Sequence, residues 1–377
     1  MAKFLVILGT LNARGGRELL GLAVIKALRE MLPISEIYVL TKDVPEKSFV
    51  KTFPRELIEA VRYARMKPLG IVFHGKLWKT FPFIRAIELL LYVVVRQRKC
   101  ITSNLNADSI PLPSHICFVH FPYFAVSNEK SIRAKLRKII HIASLTLCKM
   151  VLVNSNFTKA VLCSISRRLC RKTVVLHPPL AIEPIKLEEF LETLNNREPV
   201  VLTVSRYSRE KKLELVIEVA RRVPEAKFFI VGSLSDKRYY EELKELVERY
   251  ELNNIHLLVD APFGELQRLR RKAKIYLHTM PYEHFGIAII EAMSQGLVPV
   301  VHKSGGTWYD ILRGRDEVYG YGFTMIEEAS KIIKNLLKDN ELYKGMALKA
   351  IVRSADFSLA LFSVKVRDLI KILLVKF

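Results

Sequence analysis

The chain has 377 residues, half of them apolar, five cysteines and a formal net charge of +22. That length exceeds one ordinary hydrophobic core and suits two domains, each with enough apolar residues to bury a core. The cysteines (Cys100, Cys117, Cys148, Cys163, Cys170) are odd in number and lack metal-ligand spacing, which favours ordinary reduced core thiols.

The opening "KFLVILGT" reads as a buried strand, and "ARGGRELLGLAVIKALREM" places Leu19, Leu20, Ala23, Val24, Ala27 and Leu28 at helical spacing. No cleavable leader is expected there, because the strand runs straight into Asn12, Arg14 and Arg17. "EIYVLT" completes a βαβ unit. Further strands are expected at "GIVFHG", "HICFVHF" and "MVLVNS", with a helix over "IRAKLRKIIHIASLTL". The apolar run "AIELLLYVVV" contains Glu88 and is about half the ~20 residues of a membrane-spanning helix.

At "HPPLAIEPIK" three prolines break any regular element, and the alternation then restarts: "EPVVLTVS", "KKLELVIEVARRV", "KFFIVGS", "KRYYEELKELVERY", "NIHLLV", "GELQRLRRKA", "IYLHT". The expected fold is α/β, two facing Rossmann-like domains with a cleft at their strand C-termini. The expected bounds are 1–185, 186–355 and a terminal amphipathic helix over 356–377 docking toward the first domain, with Leu359, Phe362, Val366, Leu369, Ile370 and Leu373 on one face. The charge is uneven, +17 over residues 1–190 and +5 over 191–377. Residues 129–172 carry eleven basic side chains against Glu129, which fits a solvated face, a nucleic-acid patch or an anionic lipid surface.

The most informative stretch is "PYEHFGIAIIEAMSQGLVPVV". Glu283 falls in a loop and Glu291 inside a helix that starts near Gly286. A helix N-terminus suits phosphate, so a diphosphate would sit at Phe285, Gly286 and Ile287. Carboxylates flanking it would repel phosphate but accept hydrogen bonds from hydroxyls, and a nucleotide sugar carries hydroxyls on both sides of its diphosphate.

"EHFGIAIIEAMSQGLVPVV" with "SGG" at 304–306 resembles the E-x7-E signature of glycosyltransferase family 4, the retaining GT-B enzymes. Its wording is most similar to the cytosolic mannosyltransferases that extend dolichol-linked oligosaccharides from GDP-mannose. "CFVHFPYF" and "VLVNSNFTK" agree with that resemblance, which covers nearly the whole chain and thins between about residues 45 and 110. The resemblance implies that Glu291 holds the ribose hydroxyls and Glu283 those of the transferred sugar. It also implies that Arg206 and Lys211 neutralise the departing diphosphate. The chain has Lys211-Lys212 where the family often has Lys-Gly, which leaves Lys212 as the alternative. "GGRE" matches the family's Gly-Gly-x-Glu loop, assigning Gly15 and Gly16 to the donor, and His120 would contact the sugar or orient the acceptor.

No Asp-x-Asp is apparent, so neither metal nor other cofactor is expected beyond the nucleotide-sugar donor. The expected partners are that donor, a lipid-linked glycan acceptor and an anionic membrane surface touched by the basic N-terminal domain, with a cytoplasmic, peripheral location and no nucleic acid. A UDP-sugar donor and a basic nucleic-acid-binding protein on the same fold are the alternatives. Three glutamines in the chain, beside abundant Lys, Arg and Glu, match heat-adapted compositions.

Overall fold

The computed structural model describes residues 3–8, 15–32, 37–41, 57, 65–68, 100–126, 131–180 and 182–375. The expected strand "GIVFHG" and the apolar run at 86–95 lie outside them. The chain divides into two compact units, residues 1–181 with 359–377, and residues 182–358.

The first unit holds a seven-stranded sheet, all pairs parallel: β1 (Lys3–Ile7), β2 (Ile37–Thr41), β3 (Arg65–Pro68), β4 (Cys100–Asn104), β5 (Ile116–Val119), β6 (Met150–Val153) and β7 (Thr173–Val175), in the order β3-β2-β1-β4-β5-β6-β7. Helix Gly16–Arg29 crosses from β1 to β2 and buries Leu19, Leu20, Ala23, Val24, Ala27 and Leu28. Helix Ile132–Leu147 is started by Ser131, whose hydroxyl accepts the Ala134 N–H at 3.1 Å. The terminal helix Leu359–Val375 packs on helix Gly16–Arg29, burying Phe362, Val366, Ile370 and Leu373. Its Arg367 lies 3.4 Å from Glu30.

The second unit holds β8 (Val200–Val204), β9 (Lys227–Gly232), β10 (Ile255–Val259), β11 (Ile275–His278), β12 (Val298–His302) and β13 (Tyr321–Phe323), parallel and ordered β10-β9-β8-β11-β12-β13. Strands buried on both faces read as continuous apolar runs, which is how this half was legible. In each sheet the strand order reverses beside its first strand, between β1 and β4 and between β8 and β11. Ligands of open α/β sheets bind outside the strand C-termini at that reversal.

The cysteine expectation is corrected. Cys117 is bonded to Cys148 and Cys163 to Cys170, leaving Cys100 as a buried free thiol. Partners 31 and 7 residues apart are brought together by the packing of β5 against the end of helix Ile132–Leu147 and by the turn between helices Asn156–Ile165 and Arg167–Lys172. Spacing alone carries no sign of either approach.

Candidate active site

At the reversal of the second sheet, the loop after β8 meets the loop after β11. The chain leaves β8 into a short 3-10 turn, Arg209–Lys211, and Lys212 then adopts a left-handed conformation, φ 53°. The Thr279 hydroxyl, just past β11, donates to the carbonyls of Lys211 and Lys212 at 3.1 and 3.0 Å and ties the two loops together. Lys211 is thereby aimed at Glu283: its Nζ lies 2.6 Å from Glu283 Oε2 and 3.2 Å from Met280 Sδ. Lys212 points elsewhere, 3.8 Å from Glu214. Of the two lysines left open by the sequence, Lys211 is the one that reaches the carboxylate.

Glu283 and Lys211 are both largely buried, with side chains 13% and 15% exposed. His278 Nε2 stands 3.4 Å from the same Glu283 oxygen, and the other oxygen accepts the His284 N–H at 3.0 Å. Burial disfavours the Glu283 charge, but the Lys211 ammonium and the His278 ring outweigh it and hold the carboxyl well below the usual carboxylate range. Glu283 is therefore an ionised acceptor of hydrogen bonds and holds no proton to give.

The loop carrying Glu283 is pressed against "SGG". The Tyr282 N–H donates to Ser304 Oγ at 2.8 Å, and the Gly306 N–H donates to the Glu283 carbonyl at 2.7 Å. A Cβ on Gly305 (φ +69°) would lie 2.4 Å from that carbonyl oxygen, and one on Gly306 would lie 2.2 Å from the His284 carbonyl oxygen. These glycines are required by close backbone approach.

Helix Ile287–Ser294 begins at Gly286, whose φ of +102° is a glycine conformation and whose side makes no capping bond. A Cβ would strike Ile289 and Thr307 at 2.8 and 2.9 Å, so the residue is fixed by the protein's own packing rather than by clearance for a ligand alone. Phe285 turns its ring into the core, edge-on to Phe357, leaving its backbone as the part available to a ligand; Ile287 is half-buried. One turn further along, Glu291 Oε2 is 2.5 Å from Nη2 of Arg270, which is almost wholly buried. Arg206, by contrast, is 62% exposed and 3.5 Å from Glu210.

The remaining candidates belong to the first unit. Gly15 is the extended N-cap of helix Gly16–Arg29, and Gly16 is that helix's first residue. The Glu18 carboxyl folds back so closely that a Cβ on Gly15 would lie 2.6 Å from its oxygen. Burial pushes the Glu18 carboxyl above its ordinary value, while hydrogen bonds from its own and the Gly15 N–H and the charge of Arg17 oppose the rise. Arg17 pairs with the buried Asp108 at 2.7 Å, and Asp108 Oδ1 lies 3.5 Å from the His120 N–H. His120 follows β5, buried against the Phe118 ring, with Nε2 donating to the Leu105 carbonyl at 3.0 Å. Its ring is thus held by the backbone of its own unit.

Arg270, His278, Thr279 and Ser304 escaped the sequence reading. His278 carried a signal, a lone histidine closing an apolar strand just before the motif; Arg270 sits in the basic run "RLRRK" with nothing to single it out. Among the described residues, no group of three or more His, Cys, Asp or Glu gathers as a metal site.

Residues 186–352 match the family described as Glycosyl transferases group 1. The chain is similar to the GDP-Man:Man(3)GlcNAc(2)-PP-Dol alpha-1,2-mannosyltransferase of Dictyostelium discoideum, 24% identical over 417 residues, with 93% of this chain and 81% of that protein covered. The Alpha-1,3/1,6-mannosyltransferase ALG2 of Saccharomyces cerevisiae is 22% identical over 70% of this chain and 65% of its own. Among solved structures, Anabaena Alr3699/HepE in complex with UDP and glucose superposes with a TM-score of 0.73 at 18% identity, covering 98% of this chain and all of that one. WaaG, a glycosyltransferase involved in lipopolysaccharide biosynthesis, superposes with a TM-score of 0.68 at 16% identity, covering 97% and 99%.

Proposed function

We propose that the chain, whose residues 186–352 match the family Glycosyl transferases group 1 and whose fold is that of the GT-B enzymes, transfers mannose from GDP-mannose, with retention of configuration, to a polyprenyl-phosphate-linked glycan at the cytosolic membrane face. The observation that carries the reading is the buried Lys211–Glu283 pair set just before a helix N-terminus, with Glu291 one turn inside that helix. A diphosphate at Phe285, Gly286 and Ile287 would have the sugar on the Glu283 side and the ribose on the Glu291 side. Glu283, held in its ionised form by Lys211 and His278, accepts sugar hydroxyls; Glu291, its other interactions anchored by Arg270, accepts the ribose.

As the glycosidic bond breaks, the diphosphate gains charge, and fixed cations contribute most to a charge that develops in the transition state. Lys211 is already in place, and the exposed Arg206 is free of burial constraints to swing onto the phosphates. A departing phosphate oxygen takes the acceptor's proton, so the pathway calls for no carboxylate nucleophile, and the cations and helix N-terminus balance the diphosphate without requiring a metal. Gly15 and Gly16 are read as donor contacts, and His120 as an oriented contact to sugar or acceptor rather than a base. The excess positive charge of residues 1–190 supports a peripheral location on anionic lipid, worth about 1 kcal/mol per basic residue near the surface. Among the described residues no helix is long and apolar enough to cross a membrane.

The test is the melting temperature of wild type and Glu291→Gln with GDP, UDP, GDP-mannose, UDP-glucose or a nonspecific oligonucleotide. Gln is preferred to Ala because it leaves the buried Arg270 a partner. A ligand at ~100 times its dissociation constant stabilises by about 2.7 kcal/mol. The expected result is a guanine-specific shift that is much reduced in the variant, each protein measured against its own baseline. A uridine-specific shift would overturn GDP-mannose as donor, and an oligonucleotide shift without a nucleotide shift would overturn the transferase reading altogether.

A further inference from the structure

Helix Ile132–Leu147 faces the wrong way for a solvent-washed helix. Its inner face buries Ala134, His141, Ser144 and Leu145. At 100° per residue the opposite face carries Ile132, Leu136, Ile139, Ile140, Ala143 and Leu147, where a globular protein places polar residues. These side chains are open: Ile132 is 84%, Leu147 71%, Ile139 63% and Leu136 51% exposed. Tyr123 and Val126, on the short helix Tyr123–Val126 packed beside it, are exposed as well. Arg133 and Lys135 flank the stripe on its two sides, with Arg137 and Lys138 behind them, all exposed. No acidic residue occurs from 131 to 180.

We propose that helix Ile132–Leu147 is the element that enters the lipid surface: its outward stripe lies among acyl chains and its flanking cations rest on anionic headgroups. The inference rests on the reading that the acceptor is lipid-linked, and it names the surface that reading leaves unspecified. Charge complementarity selects the occupant. A continuous apolar stripe rimmed on both sides by cations, in a stretch of sequence from 131 to 180 without an acidic residue, matches an anionic bilayer plane, which is the pattern of a helix lying in the interface. At sixteen residues, with one face held in the unit's core, the helix lies on the membrane and does not span it. Binding should therefore have an electrostatic part that salt screens and an apolar part that salt leaves intact.

The experiment is flotation of the full chain with vesicles of phosphatidylcholine containing phosphatidylglycerol, at low salt and at about 0.5 M salt. Wild type is compared with the triple variant Leu136→Ser, Ile139→Ser, Leu147→Ser, and each protein's GDP-induced melting shift is recorded alongside. The replaced side chains are exposed, so the variant keeps its fold and its GDP shift. The expected result is a salt-resistant bound fraction in wild type and a loss of partitioning of about 100-fold in the variant. A second variant, Ile139→Trp, should show a blue-shifted emission quenched by brominated acyl chains. Equal partitioning of the triple variant would overturn the inference and leave the lipid-linked acceptor standing. So would binding abolished by salt, or a wild-type dimer that the triple variant dissociates without vesicle binding. A missing GDP shift in wild type marks failure of the donor reading instead.

Discussion

Removing the Lys211 ammonium would leave a buried, ionised carboxylate beside His278 and the His284 N–H. Lys211→Met should therefore destabilise the second unit by about 3 kcal/mol and lower transfer by at least ~100-fold. It should also change the acid limb of stability. Glu283 ionises below its unfolded value of about 4.3, so its contribution is complete above that value and is lost as pH falls through the folded pKa. Without Lys211 the folded value rises, and the fall in melting temperature between about pH 5 and pH 2 becomes shallower; melting curves of both proteins across that range check it. Gly305→Ala should cost about 2–3 kcal/mol, because the methyl meets the Glu283 carbonyl oxygen at a positive φ, and chemical denaturation reads that directly. At this scale the sequence made legible the placement of Glu283 in a loop, of Gly286 at a helix start and of Glu291 inside that helix. It was illegible at Arg270, because which arginine of a basic run becomes buried is decided by tertiary partners such as Glu291, 21 residues further along the chain.

Among the elements, β4 was hidden for a stated physical reason. "CITSN" is polar at three of five positions, yet all five are buried. Thr102 accepts the His115 N–H at 3.1 Å, and the Asn104 amide donates to the carbonyls of Ile110 and Leu112 at 2.7 and 3.2 Å, so the polar groups enter the sheet already partnered. Hydrophobic periodicity cannot report such a strand. The disulfides were missed likewise, since one depends on which helix end packs on β5 and the other on how the chain turns between helices Asn156–Ile165 and Arg167–Lys172. They predict that denatured, unreduced chain exposes one titratable thiol, Cys100, and that reduction raises the count to all five; a count of five without reductant would contradict the pairing.

For the whole molecule, the restart of the strand-helix alternation after the proline cluster made two doubly wound units legible. The division itself falls at 181/182 and again at 358/359, because the first unit is completed by the last helix of the chain. That return is set by Phe362, Val366, Ile370 and Leu373 burying against helix Gly16–Arg29, a pairing of two amphipathic faces that pattern alone leaves open. The charge bias was plain from composition, but the apolar stripe that gives it a direction emerges from which face of helix Ile132–Leu147 the sheet covers.

The most direct measurement is mass spectrometry of a polyprenyl-diphosphate-linked mannosyl-chitobiose series after incubation with the protein and either GDP-mannose or UDP-glucose, beside Glu283→Gln. The account predicts addition of one hexose from GDP-mannose, in α linkage, falling by at least ~100-fold in the variant. Addition from UDP-glucose and not GDP-mannose, or undiminished transfer by Glu283→Gln, would contradict it.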